Sequence, residues 1–495
     1  MPAPRVIVMG GGPAGLTAAY LLSKSAIATE VLERDDVVGG ISRTATHGGY
    51  RFDIGGHRFF TKVSIVEDLW NEILGDDLIV RRRLSRIYYR GKFFSYPLKP
   101  FNALAGLGLW ETSRCVASYV RARMRPISPE DNFEAWIRNR FGRRLFEIFF
   151  RTYTEKVWGM PCSEIEAEWA AQRIKGLSLS SAIKNALFGE TASGKQGVVK
   201  TLIDQFQYPR LGPGMMWERA AELAEARGAK VHLRTPVRCI HWNADGVTSI
   251  QSDSASFAGT DYISSIAMDE LVEALTPAPP AEVLAAAKRL RYRDFLTVAL
   301  IIDKPDLFPD NWVYVHDPTV KLGRIQNFGN WSPEMVPDAG KSCLGLEYFC
   351  HEGDDLWSMP DKDLLALGAK ELAQLGLLGG AKLDDGAVVR MPKAYPVYDA
   401  GYSTAVNIIR DFIAVRLPNL QLVGRNGMHR YNNQDHSMLT AMLAVKNITG
   451  SSYDLWRVNV DEEYQEEGAA ITEEDLLHLE LGQPLVPRGK GNRNA

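Results

Sequence analysis

The stretch that most constrains the fold is residues 5–60, which begin with a glycine-rich turn between a strand and a helix. Residues 6–9 are all apolar and predict a buried parallel strand, and the alanine-rich segment after Gly15 predicts a helix. Between them Gly10, Gly12 and Gly15 form G-x-G-x-x-G. These glycines permit a tight turn, a close backbone approach to a pyrophosphate and close helix packing. The sequence therefore predicts a dinucleotide site at the helix N-terminus.

A second strand with an acidic end follows at the spacing of a dinucleotide-binding fold. Residues 30–33 are strand-like, and Glu33 comes about 20 residues after the first glycine, where it can accept a ribose hydroxyl. Gly39 and Gly40 then form a second glycine turn, with Arg43 beside it. Such a turn predicts more backbone N–H groups and one cation on the same pyrophosphate.

The next motif indicates which dinucleotide is bound. Residues 52–57 have the form F-D-x-G-x-H, and with Glu33 and the double glycine they resemble the FAD-binding amine oxidase superfamily. The resemblance implies FAD as the cofactor, with this loop close to the isoalloxazine ring. The cofactor-binding residues expected from the motifs and the resemblance are Gly10, Gly12, Pro13, Ala14, Gly15, Glu33, Arg34, Gly39, Gly40, Ser42, Arg43, Gly56, His57, Val237, Gly424, Asp435, Ser437 and Met438.

The length of 495 residues suggests two or three domains. We expect an α/β fold: a Rossmann-like FAD-binding domain of the GR2/amine oxidase type, an inserted helical subdomain and an antiparallel β-sheet substrate domain. The expected ranges are 1–95, 205–275 and 405–455 for the FAD-binding domain, 96–204 for the helical subdomain, 276–404 for the sheet domain and 456–495 for a C-terminal extension. We also expect a hairpin around residues 90–92, a loop at 395–402, and a helix at 437–447 capped by Asp435.

Composition limits the kinds of molecule that the chain is expected to bind. A net charge of −3 and a pI near 6.4 argue against a nucleic-acid-binding protein. No apolar run approaches the ~18–20 residues of a membrane span, and the N-terminus enters the first strand without room for a signal peptide. The cysteines are scattered, odd in number and without a C-x-x-C pair, which favours a reduced, cytoplasmic protein with no metal site.

Three further motifs resemble UDP-galactopyranose mutases, relatives within the same superfamily. Residues 55–61 resemble the mutase loop G-P-H-x-F-H-T, and residues 153–159 resemble the segment Y-T-x-K-x-W. Gly424 and Arg425, with Tyr431 after them, resemble G-R-x-x-x-Y-x-Y-x-D-M. The likeness runs in order over roughly residues 5–450, although its middle part is loose.

The mutase resemblance implies roles for particular residues. His57 and Arg293 would lie beside the flavin, and Arg173 and Arg425 would hold the pyrophosphate of a sugar nucleotide. The catalytic residues expected on this basis are His57, Arg293 and Arg425. The substrate-binding residues expected are Tyr153, Trp158, Arg173, Tyr395, Tyr398, Tyr431 and Asn433.

The chain also departs from the mutase pattern. Asn433 stands where the mutases have an aspartate, and Phe60 replaces the second histidine of the loop. Residues 323–333 have no mutase counterpart that can be placed. The nucleotide and the sugar can therefore both differ from UDP-galactose.

The function expected from the resemblance is pyranose/furanose mutase-type ring isomerisation of a nucleotide sugar through reduced FAD. The flavin would then need a reductant, NAD(P)H or a reductase, and a homodimer is one assembly left open. The first alternative is an FAD-dependent oxidoreductase of amine oxidase, desaturase or protoporphyrinogen oxidase type, which would use hydride transfer and an apolar or amine-binding cavity. The second is a non-enzymatic binding protein like the Rab GDP-dissociation inhibitors. Fold-level likeness does not decide among these three.

Overall fold

The first strand lies at the centre of a five-stranded parallel sheet in the computed structural model, which describes residues 4–96, 98, 100–167 and 205–458. In spatial order the strands are Leu420–Leu422, Asp261–Ser264, Arg5–Met9, Ala28–Leu32 and Lys230–His232. The strands beside Arg5–Met9 lie on opposite sides of it. The loops that leave their carboxyl ends therefore diverge and open a crevice, which is where ligands bind in sheets of this type.

Helices cover this sheet and complete the Rossmann-like domain. The helix after the first glycine turn, Pro13–Lys24, packs against Gly214–Glu225 and Gln434–Ile448. Apolar side chains of the three helices and of the first strand belong to one buried core. The other helices in this part are Ser64–Leu74, Met268–Glu273, Ala281–Arg289, Tyr402–Arg416 and Gly424–Gly427. The predicted Rossmann-like arrangement is present.

A smaller sheet and two strand pairs lie around this domain. The four-stranded sheet contains, in spatial order, Ser256–Ala258, Gly246–Gln251, Cys239–Asn243 and Leu275–Thr276. The strand pairs are Thr44–His47 with Tyr50–Asp53, and Leu78–Arg82 with Gln205–Pro209. Short 3-10 turns are Gly40–Ser42, Gly75–Asp77, Pro333–Met335 and Leu455–Arg457.

A seven-stranded sheet forms the second layer of the molecule. In spatial order its strands are Leu383–Pro396, Tyr292–Ile302, Ser342–Cys350, Arg324–Asn327, Trp312–Val315, Ser85–Tyr89 and Lys92–Ser95. All neighbours are antiparallel except Trp312–Val315 and Ser85–Tyr89, which run parallel. The predicted hairpin around residues 90–92 is present, but it joins this sheet. The strands Ser85–Tyr89 and Lys92–Ser95 therefore pair within this sheet, although we expected residues 1–95 to belong to the FAD-binding domain. The sheet carries the helices Phe328–Trp331, Asp355–Ser358 and Asp361–Gln374.

The segment between residues 100 and 158 is helical, as the sequence predicts. Its elements are Pro100–Leu107, Leu109–Met124, Phe133–Phe141, Arg143–Phe146, a π-helical turn at Glu147–Arg151, and Thr152–Trp158. The last helix ends where Gly159 adopts a left-handed conformation with φ of 66°. That turn is a common helix C-terminus, and it fixes the position of Trp158 in the final turn.

The prediction of a loop at residues 395–402 is wrong at both ends. The edge strand Leu383–Pro396 includes Tyr395, and the helix Tyr402–Arg416 begins at Tyr402. The edge strand contains Asp384, Asp385 and Gly386, which interrupt the apolar alternation that identifies a strand. Its hydrogen bonds to Tyr292–Ile302, across two irregularities of register, hold it extended. Pairing with a distant segment thus overrides local propensity.

No helix among the described residues combines the length and the apolar character needed to cross a lipid bilayer.

Candidate active site

A cleft of about 420 Å³ runs from the first glycine turn to Arg425. It lies at the carboxyl ends of the parallel strands, where the crevice of the sheet is expected. The predicted cofactor residues that line it are Gly10, Gly12, Pro13, Ala14, Glu33, Arg34, Gly40, Ser42, His57, Val237, Gly424 and Ser437. Residues from stretches that are far apart in the sequence therefore meet in one cavity.

The two glycine turns face each other across the start of the cleft. A Cβ atom on Gly12 would meet only the Cα of Gly40, at 3.9 Å, so the backbone here is open to a ligand. A Cβ on Gly15 would lie 1.9 Å from the carbonyl oxygen of Gly10, which explains the third glycine by close packing. The helix that starts at Pro13 has no side-chain cap, and its first N–H groups are free to bind an anion. This geometry fits a dinucleotide pyrophosphate.

Glu33 lies at the cleft edge and is held by backbone groups. Its carboxylate accepts hydrogen bonds from the N–H of Gly11 over 2.6 Å and from the N–H of Asp35 over 2.9 Å. Burial raises the pKa of Glu33, although these two hydrogen bonds oppose the rise. The carboxylate is therefore positioned beside the glycine turn, where a ribose would lie. Arg43, in contrast, pairs with Asp35 at 2.5 Å and does not line the cleft.

Three predicted cofactor glycines contribute through packing and do not line the cavity. Gly15 allows the helix to approach the strand, as described above. Gly39 has φ of 100° and donates its N–H to the carbonyl of Gly11 over 2.8 Å, which joins the two glycine turns. A Cβ on Gly56 would lie 2.4 Å from the ring of Trp312. Gly56 is therefore required by this contact between the loop and the sheet.

Two predicted cofactor residues near residue 435 differ from expectation. The helix begins at Gln434 with Asn433 at its N-cap position, so Asp435 lies inside the helix and does not cap it. Its carboxylate accepts a hydrogen bond from the Thr61 hydroxyl over 3.1 Å. The Met438 sulfur accepts a hydrogen bond from the indole of Trp70, in the core. Apolar positions on a buried helix face inward, which turns Met438 away from the cleft.

His57 lies on the cleft wall as a neutral imidazole. Its Nδ1 is 2.9 Å from the carbonyl oxygen of Gly55, and because a carbonyl only accepts, Nδ1 carries the proton. Burial, together with the charges of Arg425 and Arg324, lowers the pKa of His57 to about 3. The Nε2 atom is therefore an unprotonated acceptor at neutral pH.

Asp53 fixes the loop that carries His57. It is fully buried, and both of its carboxylate oxygens lie 2.8 Å from the hydroxyl of Tyr208. It also accepts a hydrogen bond from the backbone of His57. Burial raises the pKa of Asp53 well above its usual range, and the hydroxyl of Tyr208 opposes this. The aspartate of the F-D-x-G-x-H motif thus positions the loop and does not reach the cleft.

Arg425 connects the cleft with a group of aromatic side chains. Its Nε donates to the carbonyl of Asn432 over 2.9 Å, and its Nη1 donates to the carbonyl of Ala394 over 3.1 Å. The guanidinium carbon lies 5.0 Å from the ring centre of Tyr431 and 5.3 Å from that of Tyr395. No carboxylate of the described residues pairs with Arg425. Within the described part of the chain it is a cation at the cleft wall without a carboxylate partner.

The aromatic group consists of Tyr395, Tyr431 and Trp158. The two tyrosine rings stack with centroids 5.5 Å apart, and the indole lies 6.4 Å from Tyr431 and 6.5 Å from Tyr395. Tyr398, predicted to bind substrate, accepts a hydrogen bond from the N–H of Tyr431 over 2.5 Å. Its hydroxyl therefore orients Tyr431.

Arg324 is the site residue that sequence reasoning missed. Its guanidinium donates to the hydroxyl of Tyr395 over 2.8 Å and pairs with the buried carboxylate of Glu347 at 2.5 Å. It also lies 4.8 Å from the ring centre of Phe349 and 5.2 Å from that of Trp312. Its Nε has no hydrogen-bond partner among the described residues. The sequence signal for it was that residues 323–333 have no mutase counterpart that can be placed.

Tyr153 lies within reach of the Arg324 charge but does not line the cleft. Its ring stacks on His316 with centroids 4.8 Å apart, and burial raises the pKa of its hydroxyl well above the usual range. The Arg324 charge opposes that rise. Arg173, the second predicted pyrophosphate arginine, lies outside the described residues. Asn433 is at the N-cap position of the helix Gln434–Ile448, which borders the cleft. Asn433 itself does not line the cleft.

The structure does not bring Arg293 into the cleft. Its Nε donates to the carbonyl of Val157 over 3.1 Å, and its Nη2 donates to the carbonyl of Phe349 over 3.0 Å. The guanidinium also packs against Gly159 and lines a separate cavity of about 760 Å³. Free carbonyls at the end of the helix Thr152–Trp158 attract it there. The expected catalytic group of His57, Arg293 and Arg425 is therefore incomplete. Arg324 lies near His57 and, through Tyr395, near Arg425.

Among the described residues, no three or more His, Cys, Asp or Glu side chains are grouped to hold a metal ion. All five cysteines are free thiols, and Cys115, Cys162, Cys343 and Cys350 are buried.

Comparison with known proteins places this geometry in context. The model of the family described as flavin-containing amine oxidoreductase matches residues 13–392. The crystal structure of reduced UDP-galactopyranose mutase matches with a TM-score of 0.80 and 22% identity, over 94% of this chain and 100% of that chain. A putative protoporphyrinogen oxidase from Exiguobacterium sp. 255-15 matches with a TM-score of 0.69 and 18% identity, over 90% of this chain and 99% of that chain. These structures confirm the predicted resemblance at the level of the fold.

The curated relatives match over short segments. Phytoene dehydrogenase of Streptomyces griseus is 36% identical over 94 residues, which are 19% of this chain and 18% of that protein. The match therefore spans less than one fifth of the relative's length.

Proposed function

The chain belongs to the family of flavin-containing amine oxidoreductases, and from that premise we propose that this flavoenzyme binds FAD and isomerises the ring of a nucleotide sugar. The reaction would be of the pyranose/furanose mutase type. The observation that carries the proposal is a pair of guanidinium groups, Arg324 and Arg425, that both contact Tyr395 beside the glycine-rich cleft.

The cleft residues suit the parts of FAD. The open backbone between Gly12 and Gly40, with the uncapped start of the helix Pro13–Lys24, would hold the pyrophosphate. Glu33 would accept the ribose hydroxyl. The cleft continues from there to His57 and Arg425, where the flavin ring would lie.

The two arginines support binding of a second anion next to the flavin. Arg425 has no carboxylate partner among the described residues, and a half-buried cation without a counter-charge is costly unless a ligand supplies one. Arg324 shares its charge with Glu347 but keeps a free Nε. A nucleoside diphosphate would supply the negative charge that the site lacks.

Other side chains of the site would position the sugar nucleotide. Trp158, Tyr395 and Tyr431 offer stacking surfaces for a base or a sugar ring. Neutral His57 offers an acceptor at Nε2 and adds no positive charge near the flavin. The chemistry that reduced FAD supplies in such a reaction is nucleophilic attack on the anomeric carbon of the sugar.

The experiment that tests this function is titration of nucleoside diphosphates against the purified protein. UDP and GDP are added to the protein before and after reduction by dithionite, while the flavin spectrum is followed. We expect a saturable spectral change that is stronger in the reduced protein. Loss of this change in Arg425→Ala, with flavin retained, would locate the ligand. No response to any nucleoside diphosphate would exclude the mutase function.

An FAD-dependent oxidoreductase is the alternative, and the family itself favours it because its members are described as amine oxidoreductases. Such an enzyme needs a cavity for an apolar or amine substrate and has no anion to hold. Reduction of the flavin by an amine or an alkene substrate, without any nucleotide effect on the spectrum, would support it.

A further inference from the structure

The helix Leu109–Met124 presents apolar side chains to the outside of the molecule. Leu109 is 90% exposed, Trp110 78% and Met124 75%. Val116 is 46% exposed and Val120 is 48% exposed. Single exposed apolar residues are common, but five on one helix form a continuous surface of the kind that marks an interaction site.

The spacing of these residues places them on one side of the helix. At about 100° per residue, Leu109, Val116 and Val120 fall in one narrow row, with Met124 and Trp110 beside it. Cys115 is on the opposite side, buried with Phe94 and Phe149 in a small core. The inner side of the helix is therefore packed against the protein, whereas its apolar stripe is exposed to solvent.

Arginines lie on both edges of the apolar stripe. Arg123 borders one edge, and Arg114 and Arg121 border the other, with Arg125 just after the helix. Arg114 pairs with Glu111 at 3.2 Å, whereas the other three make no ion pair with a described residue.

The only acidic residue of the helix is turned away from the stripe. Glu111 pairs with Arg144 on the neighbouring helix Arg143–Phe146. Within Leu109–Met124 the carboxylate of Glu111 therefore neutralises Arg114 but not Arg121 or Arg123, and the outer side is both apolar and cationic.

We propose that Leu109–Met124 binds the surface of a lipid bilayer that contains anionic headgroups. The apolar stripe would enter the boundary between headgroups and acyl chains, and the arginines would pair with lipid phosphates. Tryptophan is favoured at that depth because its ring is amphipathic, and long arginine side chains reach the headgroups from it.

A second copy of the chain fits this surface less well. A two-fold symmetric contact through the stripe would bring the arginines of one helix against the same arginines of the other. Three unpaired guanidinium groups on each side would then repel one another as they lose water. An anionic bilayer instead complements both the apolar and the cationic part of the helix.

Membrane binding at this helix does not depend on the reaction in the cleft. None of the helix residues lines the cleft, and the helix packs against Phe133–Phe141 and Arg143–Phe146. Failure of the nucleotide experiment therefore leaves this proposal standing, and the reverse also holds.

The test is co-sedimentation of the full chain with vesicles. We expect binding to phosphatidylcholine vesicles that contain phosphatidylglycerol, weak binding to pure phosphatidylcholine, and release by salt. Val120→Glu puts a carboxylate in the stripe and should weaken binding about tenfold or more. The matched control is Val415→Glu on the helix Tyr402–Arg416, because Val415 is an exposed valine too, 75% against 48% for Val120, but has no other exposed large apolar residue on its helix.

A second variant guards against a folding defect. Arg121→Glu with Arg123→Glu should keep the circular dichroism and thermal unfolding of the parent and lose binding to the anionic vesicles. The proposal is overturned if the parent does not bind these vesicles, or if both variants bind as the parent does. It is equally overturned if Val120→Glu instead converts a dimer into a monomer, since the stripe then belongs to a second copy.

Discussion

Arg324 donates a hydrogen bond to the hydroxyl of Tyr395 over 2.8 Å. The two residues lie on strands separated by Tyr292–Ile302 and Ser342–Cys350 in the seven-stranded sheet. Tyr395 also stacks on Tyr431, which follows the turn that carries Arg425. The Tyr395 side chain therefore links the seven-stranded sheet to the cleft at the parallel sheet. Substitutions at Tyr395 should affect both Arg324 and Arg425.

Removal of the Tyr395 hydroxyl should weaken nucleoside diphosphate binding modestly. Tyr395→Phe keeps the ring stack but leaves Arg324 without this acceptor, a loss of about 1 kcal/mol, or a few-fold in affinity. The matched control is Tyr20→Phe, which loses one hydrogen bond to Glu72; neither residue lines the cleft. Titration of both variants measures the effect. Equal affinities would mean that the Tyr395 hydroxyl has no part in orienting Arg324.

A side chain at Gly12 should abolish flavin binding. In Gly12→Val the added methyl groups would occupy the open space between the two glycine turns, where only the Cα of Gly40 is near. The ratio of flavin to protein absorbance in the purified variant measures the loss. Gly340→Val, on an exposed loop, is the control and should stay yellow. A yellow Gly12→Val protein would show that the pyrophosphate is held elsewhere.

Arg293 should prove to be important for stability. In Arg293→Ala the buried carbonyls of Val157 and Phe349 lose their donor, which costs about 1–3 kcal/mol of the free energy of unfolding. Arg289→Ala, which loses a bond to one carbonyl on the surface, should cost less. Urea unfolding of both variants gives the difference. Unchanged stability, with turnover lost, would restore Arg293 as a catalytic residue.

The glycine turns could be predicted from the sequence because their geometry is local. Gly10, Gly12 and Gly15 act within one strand–turn–helix unit, so their spacing alone defines the arrangement. Glu33 comes directly after the next strand of the same unit, Ala28–Leu32. Each of these residues lies where its motif requires, and the structure adds only how closely the two turns approach.

The second cation of the site could not be predicted, because strand pairing places it there. Arg324 reaches Tyr395 only when Arg324–Asn327 and Leu383–Pro396 join one sheet, and local patterns missed the second strand. Arg293 illustrates the converse. Its position in the sequence resembles that of an arginine beside the flavin. Its guanidinium instead binds free carbonyl groups at the end of a helix. Side-chain direction depends on such distant partners.

Buried His316 should make the protein sensitive to acid. Burial lowers its pKa to about 3, whereas in the unfolded chain a histidine titrates near about 6.5. Between these values the unfolded state binds more protons, so stability is full above about pH 6.5 and falls by up to about 1.4 kcal/mol per pH unit below it. His316→Phe keeps a ring against Tyr153 and should flatten this fall.

Urea unfolding at about pH 7 and at about pH 5 measures the pH dependence of stability. His241→Gln, a change on the half-exposed strand Cys239–Asn243, is the control and should unfold like the parent at each pH. The prediction fails if His316→Phe loses as much stability as the parent between the two pH values. His316 would then be protonated in the folded protein, and its stack with Tyr153 would be open to water.

Arg425 should separate nucleotide binding from flavin binding. Its guanidinium has no carboxylate partner among the described residues and makes two bonds to carbonyls, so it has capacity for an anion. Each charge-assisted contact to a diphosphate is worth roughly 1.5–3 kcal/mol, about ten- to a hundredfold in affinity. Arg425→Ala should therefore lose this factor for UDP or GDP. It should keep its flavin, because the glycine turns that would hold FAD are untouched.

The control for Arg425→Ala is Arg410→Ala, since Arg410 pairs with Asp411 on the surface of the helix Tyr402–Arg416. Both variants remove one guanidinium, but only one of the two groups faces the cleft. If the two bind nucleotide alike, the charge of Arg425 serves the flavin alone, and a redox reaction becomes the better account of the site. A loss confined to Arg425→Ala, larger after reduction of the flavin, would place the diphosphate beside reduced FAD, as ring isomerisation requires.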